Sequence, residues 1–493
     1  MTDTHALPRS IPEKQGVSPS SVSSFLEEIE NRKLALHGFM FLRHGHVVAE
    51  GWWKPYRPNV PHAVYSLTKS FTSMAVGFAV QEGLLTLEDP ILSRFPELET
   101  PEIRNNMGEI RIKHLLTMTT GHESDTTRFG VTPDFLNHRT ELRVGDRSDR
   151  DFVRGFLELP IQRAPGSWFV YNSGASHVLG AIVERAAGVT LAEYLQPRLF
   201  DPLEIANPKW DRAPGGGNTG GWGLWLTTED IARFGQFLLN KGEWNGVRIL
   251  PAAWIEEAAA FQADNANVPE DNGETGNIDW RQGYGYQFWR CRHNAYRGDG
   301  AFGQYCIVMP DQDAVIAMTG GLSDMQGVLD AVWRHLLPSM KEAVPVSLDP
   351  SENDRLTRKL ATLELGGANA SAEGGWSGAK KYRIESNEQG LQEISLSFEG
   401  RECVCQWTDS RGTQRLTCGL REWNAANSLS GRPVAVKGWW RDTATFEICA
   451  CQPDSPHRDR LTFRFEDGTV GIHHEHFSFV CHQHDFHGVA VAE

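Results

Sequence analysis

The segment that constrains this chain most is Ser66-Leu67-Thr68-Lys69 and the run behind it, Phe71, Met74, Ala75, Val76, Phe78, Ala79 and Val80, ending at Gly83. Apolar residues fall on nearly every side of this run, the pattern of a helix enclosed inside a domain. Gly83 suits its C-terminal stop. Residues three apart on a helix share one face, one turn apart, so the spacing sets the Lys69 amine beside the Ser66 hydroxyl. There the amine can take the proton that a serine must lose before it attacks a carbonyl at neutral pH. The tetrapeptide needs its context, because 29 Ser and 12 Lys in 493 residues give about 0.7 such pairs by chance. Ser377-Gly378-Ala379-Lys380 has the same spacing, yet it follows a Gly/Ala/Ser-rich stretch and leads into no apolar run. Ser66 is therefore the candidate nucleophile. The competing reading is a helix-capping serine beside a solvated lysine.

A Ser–Lys pair needs a second proton carrier and an oxyanion hole. Tyr171, in Pro165-Gly166-Ser167-Trp168-Phe169-Val170-Tyr171-Asn172-Ser173-Gly174, lies on a loop just before a helical run, where its side chain can reach into a cleft. An ordinary phenol is a poor base at neutral pH, and a Lys69 ammonium beside it would favour the phenolate. The hole requires two backbone N–H groups. Ser66 supplies its own, and Gly298-Asp299-Gly300-Ala301-Phe302-Gly303 suits the second, because glycines permit close backbone approach. The Ala301 N–H is the candidate donor.

Around these residues the chain reads as four stretches. A helix is expected over 20–32, and strands over 38–43 and 46–53 joined by His44-Gly45. A helix-rich block runs from 66 to about 213, with helices over 112–118, 150–159, 175–187 and 191–199. Then come a helix over 228–240 with acidic Glu229 and Asp230 in its first turn, strands over 285–290, 303–309 and 314–319, and a closing helix over 325–337. Strands at both ends of a helical block mark the block as an insertion into one sheet. Beyond 345 the character changes. A helix fits 351–363, a linker fits 366–375, and short alternating runs from Trp376 onward, such as 394–398, 415–418, 446–449 and 461–465, indicate an all-β domain. The expected domains are 1–345, a helix and linker over 346–375, and 376–493.

The assembled motifs resemble the serine β-lactamase and penicillin-binding-protein superfamily, in its class-C-like esterase and D-aminopeptidase branch. Ser66-Leu67-Thr68-Lys69 matches the nucleophile motif and Tyr171-Asn172-Ser173 the tyrosine motif, while Gly298-Asp299-Gly300 occupies the place of the third. The stretches Ile112-Lys113-His114-Leu115-Leu116-Thr117-Met118-Thr119-Thr120-Gly121 and Gly223-Leu224-Trp225-Leu226-Thr227-Thr228-Glu229-Asp230 also look like this family. The resemblance covers roughly residues 10–340. It implies an α+β fold, a helical subdomain beside an antiparallel sheet with packed helices, a site between them, and an acyl-enzyme on Ser66. Two departures bear on substrate. Ser173 stands where penicillin-recognising members end the tyrosine motif in Asn, and Gly298-Asp299 stands where they carry Lys or His followed by Thr or Ser. Those groups help hold a substrate carboxylate, which an Asp would repel. β-Lactams and D-Ala-D-Ala peptides are thereby disfavoured. Asn172, Ser173, Asp299 and Gly300 remain the candidate substrate-binding residues, and Asp299 raises the option of an amine-bearing acyl group.

Other signals carry less. A net charge of −15 argues against nucleic acid and anionic membranes as partners. No signal peptide or spanning apolar stretch is visible, so the expected compartment is the cytoplasm. Cys403 with Cys405, and Cys449 with Cys451, read as small apolar strand residues rather than disulfides or metal ligands. The cluster His473, His474, His476, His482, His484 and His487 reads as a surface strand pair with rings on mixed faces, not a metal site. Trp52, Trp53, Trp168, Trp222, Trp225 and Trp289 are candidates to line an apolar acyl pocket, with Tyr296 and Gln304 beside the third motif. The expectation is a cofactor-free, metal-free serine hydrolase of a small-molecule ester. An amidase or D-aminopeptidase, and a non-catalytic ligand-binding relative, are the alternatives.

Overall fold

His44-Gly45 has positive φ at both residues, 50° and 73°, the handedness that a two-residue hairpin turn needs. It folds β1 (Leu36–Arg43) back on β2 (His46–Trp52) with Arg43 opposite His46. The other edge of β1 does not pair locally. It lies antiparallel to a strand from the far side of the chain, with Phe39 opposite Met318. The full sheet has six strands, adding β3 (Trp289–Arg290), β4 (Tyr296–Gly300), β5 (Gln304–Met309) and β6 (Ala314–Gly320), in the order β3-β4-β5-β6-β1-β2. Everything between β2 and β3 is thus inserted into one antiparallel sheet. The computed structural model that gives this picture describes residues 7–132, 139–144, 151–206, 208–269, 276–340, 350–366, 376, 378–427, 431–479 and 481–491.

Helix α1 (Pro19–Asn31) precedes the sheet, and α2 (Thr68–Gln81) follows β2. Twelve consecutive residues of α2, Thr68 to Ala79, are buried, as an all-round apolar helix requires. It packs against α3 (Ser173–Ala187), and its Phe71 ring stacks on Phe234 at 4.0 Å. Phe234 belongs to α4 (Thr228–Leu239), whose capping box pairs Thr227 with Asp230 and so satisfies two orphan donors of the first turn. α4 covers β5 and β6 through Gly235, where a Cβ would collide with Val315 and stand 3.0 Å from Cys306 Sγ. The expected strand over 285–290 is corrected. Only Trp289–Arg290 joins the ladder, because Gln287 turns the chain at φ 65° and Gly285 N–H closes on Phe288 O at 2.8 Å.

Contacts divide the chain into two units, one of Met1–Trp52, Pro58–Arg128 and Leu142–Leu363, the other of Trp53–Arg57, Phe129–Glu141 and Glu364–Glu493. The second unit is all β. Ten strands run from Gly378–Ile384 to His482–Ala490, and Gly412–Gly419 meets Pro433–Trp440 in a parallel bridge, Gly419 opposite Lys437, which closes the sheet on itself. Period-2 alternation turns Leu396, Phe398, Cys403, Cys405, Trp407, Cys418, Phe446 and Phe463 into its core. Cys403, Cys405 and Cys418 are thus small core residues. The histidine expectation is corrected in part. His473 faces outward to Asp485 (2.7 Å), but His474 and His476 are buried on the opposite face, both at 2.9 Å from Asp459 Oδ1 on the neighbouring strand. A shared carboxylate removes the penalty of burying two imidazoles. Residues 367–375 of the expected linker, and Ser377 of the second Ser-x-x-Lys, lie outside the described residues.

Candidate active site

Ser66 sits in a single 3-10 turn, Tyr65–Leu67, that runs directly into α2. Tyr65 has φ 46°, a left-handed conformation that a bulky residue adopts only when its surroundings enforce it. Part of the enforcement is visible at Gly300. A Cβ there would collide with the Val64 carbonyl and stand 3.1 Å from Ser66 N, so the end of β4 runs hard against the backbone of Ser66. Gly298 is similarly tight, its Cβ position blocked by Leu67 and 2.6 Å from Ser70 Oγ. These two glycines bring the chain at Ala301, the expected second oxyanion donor, past Ser66.

Lys69 is 1% exposed. Its Nζ stands 2.9 Å from Ser66 Oγ, 3.2 Å from Ser173 Oγ and 2.7 Å from Gly221 O. Burial pulls its pKa from 10.5 down to about 7, with Asp125 and Asp299 opposing the fall. A neutral amine has two N–H donors and one lone pair. The donors match Gly221 O and Ser173 Oγ, which leaves the lone pair for the Ser66 proton. Ser173 in turn takes a hydrogen bond from Lys69 and gives one to Asp125 Oδ2 (3.2 Å), while Ser173 N–H donates to Asp125 Oδ1 (3.0 Å).

Tyr171 completes the group, with its hydroxyl hydrogen-bonded to Ser66 and its ring 4.9 Å from Lys69 Nζ. The phenolate expectation is corrected. Burial, with Asp299 adding to it, raises the Tyr171 pKa well above the ordinary value, because a charged phenolate has too little solvent there. Of the two groups, burial holds the phenol in its protonated form and brings the lysine's free-base form within reach of neutral pH. The phenol ring stacks on Trp289 at 5.2 Å, within a cluster of Met118, Phe169, Tyr284 and Trp289. Of the six tryptophans weighed as pocket residues, Trp289 is thus the one stacked on the tyrosine.

Two expected substrate contacts have other occupations. Asn172 is the N-cap of α3 and fully buried. Its Oδ1 accepts from Gly174 N–H (3.0 Å), Ala175 N–H (3.2 Å) and both Thr126 donors (3.3 and 2.7 Å). A cap must stand at the helix end, and this one turns away from Ser66 while the following residue, Ser173, turns toward it. Asp299 is not an open anion. Arg297, two residues earlier and therefore on the same strand face, donates Nε–H to Asp299 Oδ2 at 2.9 Å, with Nη2 at 2.8 Å.

Sequence reasoning missed Arg297, Asp125, Gly221 and Gln287. Gly221 contributes only a carbonyl, which no side-chain motif announces. Gln287, 2% exposed, ties its amide N–H groups to Leu115 O and Leu116 O and its Oε1 to Ser176, so it bolts the helical block to the β3 side of the sheet. Arg297 was the legible one, since an arginine two residues from an aspartate in a strand shares its face.

Residues 31–326 match the family model described as Beta-lactamase. A hydrolase of the 6-aminohexanoate dimer from Paenarthrobacter ureafaciens is 26% identical over 330 residues, 64% of this chain and 80% of that protein. Esterase EstB from Burkholderia gladioli is 30% identical over 193 residues, 36% of this chain and 48% of its own length. The solved octameric penicillin-binding protein homologue from Pyrococcus abyssi superposes over 95% of this chain and 99% of its own, with a TM-score of 0.50 and 16% identity.

Proposed function

The chain belongs to the β-lactamase family and is a serine hydrolase, and from that premise we propose that it cleaves carboxylic esters through an acyl-enzyme on Ser66. The observation that carries the reading is the buried lysine at 2.9 Å from the serine hydroxyl, with its pKa brought to about 7. Neutral Lys69 takes the Ser66 proton as Oγ attacks the carbonyl. The N–H groups of Ser66 and Ala301 hold the oxyanion, a stabilisation worth about 2.7–4 kcal/mol per donor in hydrolases of this logic. Tyr171 gives its proton to the leaving alkoxide and regains one from Lys69. Water then repeats the sequence on the acyl-enzyme and restores Ser66. The chain's own residues balance every proton, so the reading invokes no cofactor and no metal.

The substrate is a small molecule whose acyl group is uncharged near the third motif. Support comes from Gly298, where a side chain has no room, and from Asp299, whose charge is matched by Arg297. Ser173 and Gly300 border the acyl position, and Asn172 and Asp299 support it from behind. A second reading, an amidase or D-aminopeptidase, draws on the 6-aminohexanoate-dimer hydrolase among the relatives. The 1–345 catalytic domain, the 346–375 connection and the 376–493 β domain form part of the proposal. So does a cytoplasmic location, which eight free cysteines favour. Among the described residues no helix is long and apolar enough to cross a membrane.

Ser66→Ala tests the nucleophile. The purified variant is expected to lose turnover and covalent labelling by a fluorophosphonate, read by intact mass. A labelled variant would overturn the assignment. A panel of nitrophenyl esters, D-amino-acid amides and a chromogenic cephalosporin then separates esterase from amidase.

A further inference from the structure

Arg297 is the largest fully buried side chain among the described residues, and the serine chemistry just described makes no use of it. Its guanidinium Nε–H and Nη2 engage Asp299, its Nη1 donates to the Asp279 carbonyl oxygen at 2.7 Å and reaches Cys291 Sγ at 3.0 Å, and its plane lies 4.3 Å over the Trp280 ring. Asp279 is itself held by Arg292, the Gln326 amide (2.7 Å) and the Trp333 indole N–H (3.0 Å). Such a site is costly to build. Breaking one partner of a buried ion pair typically costs about 3–5 kcal/mol, while well-packed apolar replacements of the pair are often neutral or stabilising. A purely structural demand would have been met more cheaply by apolar residues.

The connections run toward the reacting atoms. Trp289 stands opposite Arg297 in the β3–β4 register, its ring 5.9 Å from the guanidinium carbon, and it is among the groups that lower the Asp299 pKa. The same indole stacks on Tyr171 at 5.2 Å with 25° between the planes, and the Tyr171 hydroxyl bonds to Ser66. The guanidinium holds one carboxylate oxygen, Asp299 Oδ2, through its Nε–H, and the indole face packs on the phenol, so a change at Arg297 reaches Tyr171 through packed contacts.

We infer that Arg297 is a positioning residue that, through Asp299 and Trp289, holds the Tyr171 hydroxyl on Ser66. Asp299 on this view binds no substrate, and its carboxylate is the joint between the guanidinium and the indole. The inference rests on the serine-hydrolase reading above and deepens it. Misplacing a reacting group by about 1 Å costs about 10²-fold in rate, so loosening this support is read in kcat rather than in KM.

The test uses the full-length protein with Arg297→Met, Asp299→Asn and Trp289→Leu, assayed on one neutral nitrophenyl ester, with Trp289→Phe as the milder variant. Expected are falls in kcat of about 10–100-fold with KM within about threefold, and a smaller fall for Trp289→Phe, which keeps an aromatic face for Tyr171 and loses the pyrrole ring with its N–H. Asp299→Asn carries a second readout. Lys69 is faced by Asp125 from the 125–127 turn and by Asp299 from β4. Tyr171 is faced by the same two carboxylates and by Arg297. Removing the Asp299 charge is therefore expected to move the acidic limb of the kcat/KM profile to lower pH, a shift that mere loosening of the fold would not produce. Wild-type kcat in Trp289→Leu, or an Asp299→Asn whose sole change is a raised KM, overturns the inference. If Arg297→Met fails to fold, the two tryptophan variants decide. Should Ser66→Ala still label, the hydrolase reading falls instead, so the two failures are distinguishable.

Discussion

Lys69 is a charged side chain type placed where charge is least welcome. Its pKa near 7 when folded, against 10.5 when free, brings its free-base form within physiological pH and also burdens the fold. The activity consequence has one sign. Below about pH 7 the amine is protonated and cannot accept the Ser66 proton, so kcat/KM should fall toward tenfold per pH unit and level off above 7. The stability consequence is the mirror image. Between about 7 and 10.5 the unfolded chain binds more protons than the folded one, so stability rises with pH across that window. Lys69→Met, inactive, should therefore be more stable than the parent below pH 7, by an amount on the order of a few kcal/mol. The difference should shrink as the pH approaches 10. Denaturant unfolding at pH 6 and pH 9 measures it, and an equal gap at both would contradict the depressed pKa.

At the scale of the element, α3 matters through its first turn. Asn172 caps it and in the same stroke accepts both Thr126 donors, which fixes the 125–127 turn that carries Asp125 beside Ser173. Asn172→Ala removes the cap and leaves buried Thr126 donors without their acceptor. A loss of about 1–2 kcal/mol is expected for the cap, with more from the stranded donors. Chemical denaturation gives the number. On the proposed reading Asp125 acts through Ser173, to which it is hydrogen-bonded, so the fluorophosphonate labelling rate should fall less than in Tyr171→Phe. The opposite order would make the cap, not the phenol, the critical group.

At the scale of the whole molecule, two cores are formed by different rules. The first unit buries Phe71, Met74, Leu179, Phe234 and their neighbours between helices and one face of an antiparallel sheet. The second closes ten strands on an alternating interior that includes Phe446, Phe463 and Trp407. Separate cores predict separable unfolding. Phe446→Ala should cost about 3–5 kcal/mol in its own unit. In scanning calorimetry one transition should move down by several degrees while the other stays. A single transition moving as a whole would show that both units unfold together.

The sequence by itself determined the pieces whose cause is local. The apolar run after Ser66 had to become an enclosed helix, His44-Gly45 had to turn a hairpin, and alternation beyond Trp376 had to make strands with buried cysteines. It also fixed which hydroxyl and which amine share a helix face, since that depends only on helical pitch. Tertiary structure alone decided what those groups are. Burial lowered the Lys69 pKa toward 7 and raised that of Tyr171, against the phenolate that a neighbouring ammonium alone would favour. Arg297 took the buried Asp299 as its partner, and the end of α3 claimed Asn172. Charge state and hydrogen-bond partner depend on what surrounds a group in space, and spacing along a chain does not contain that information.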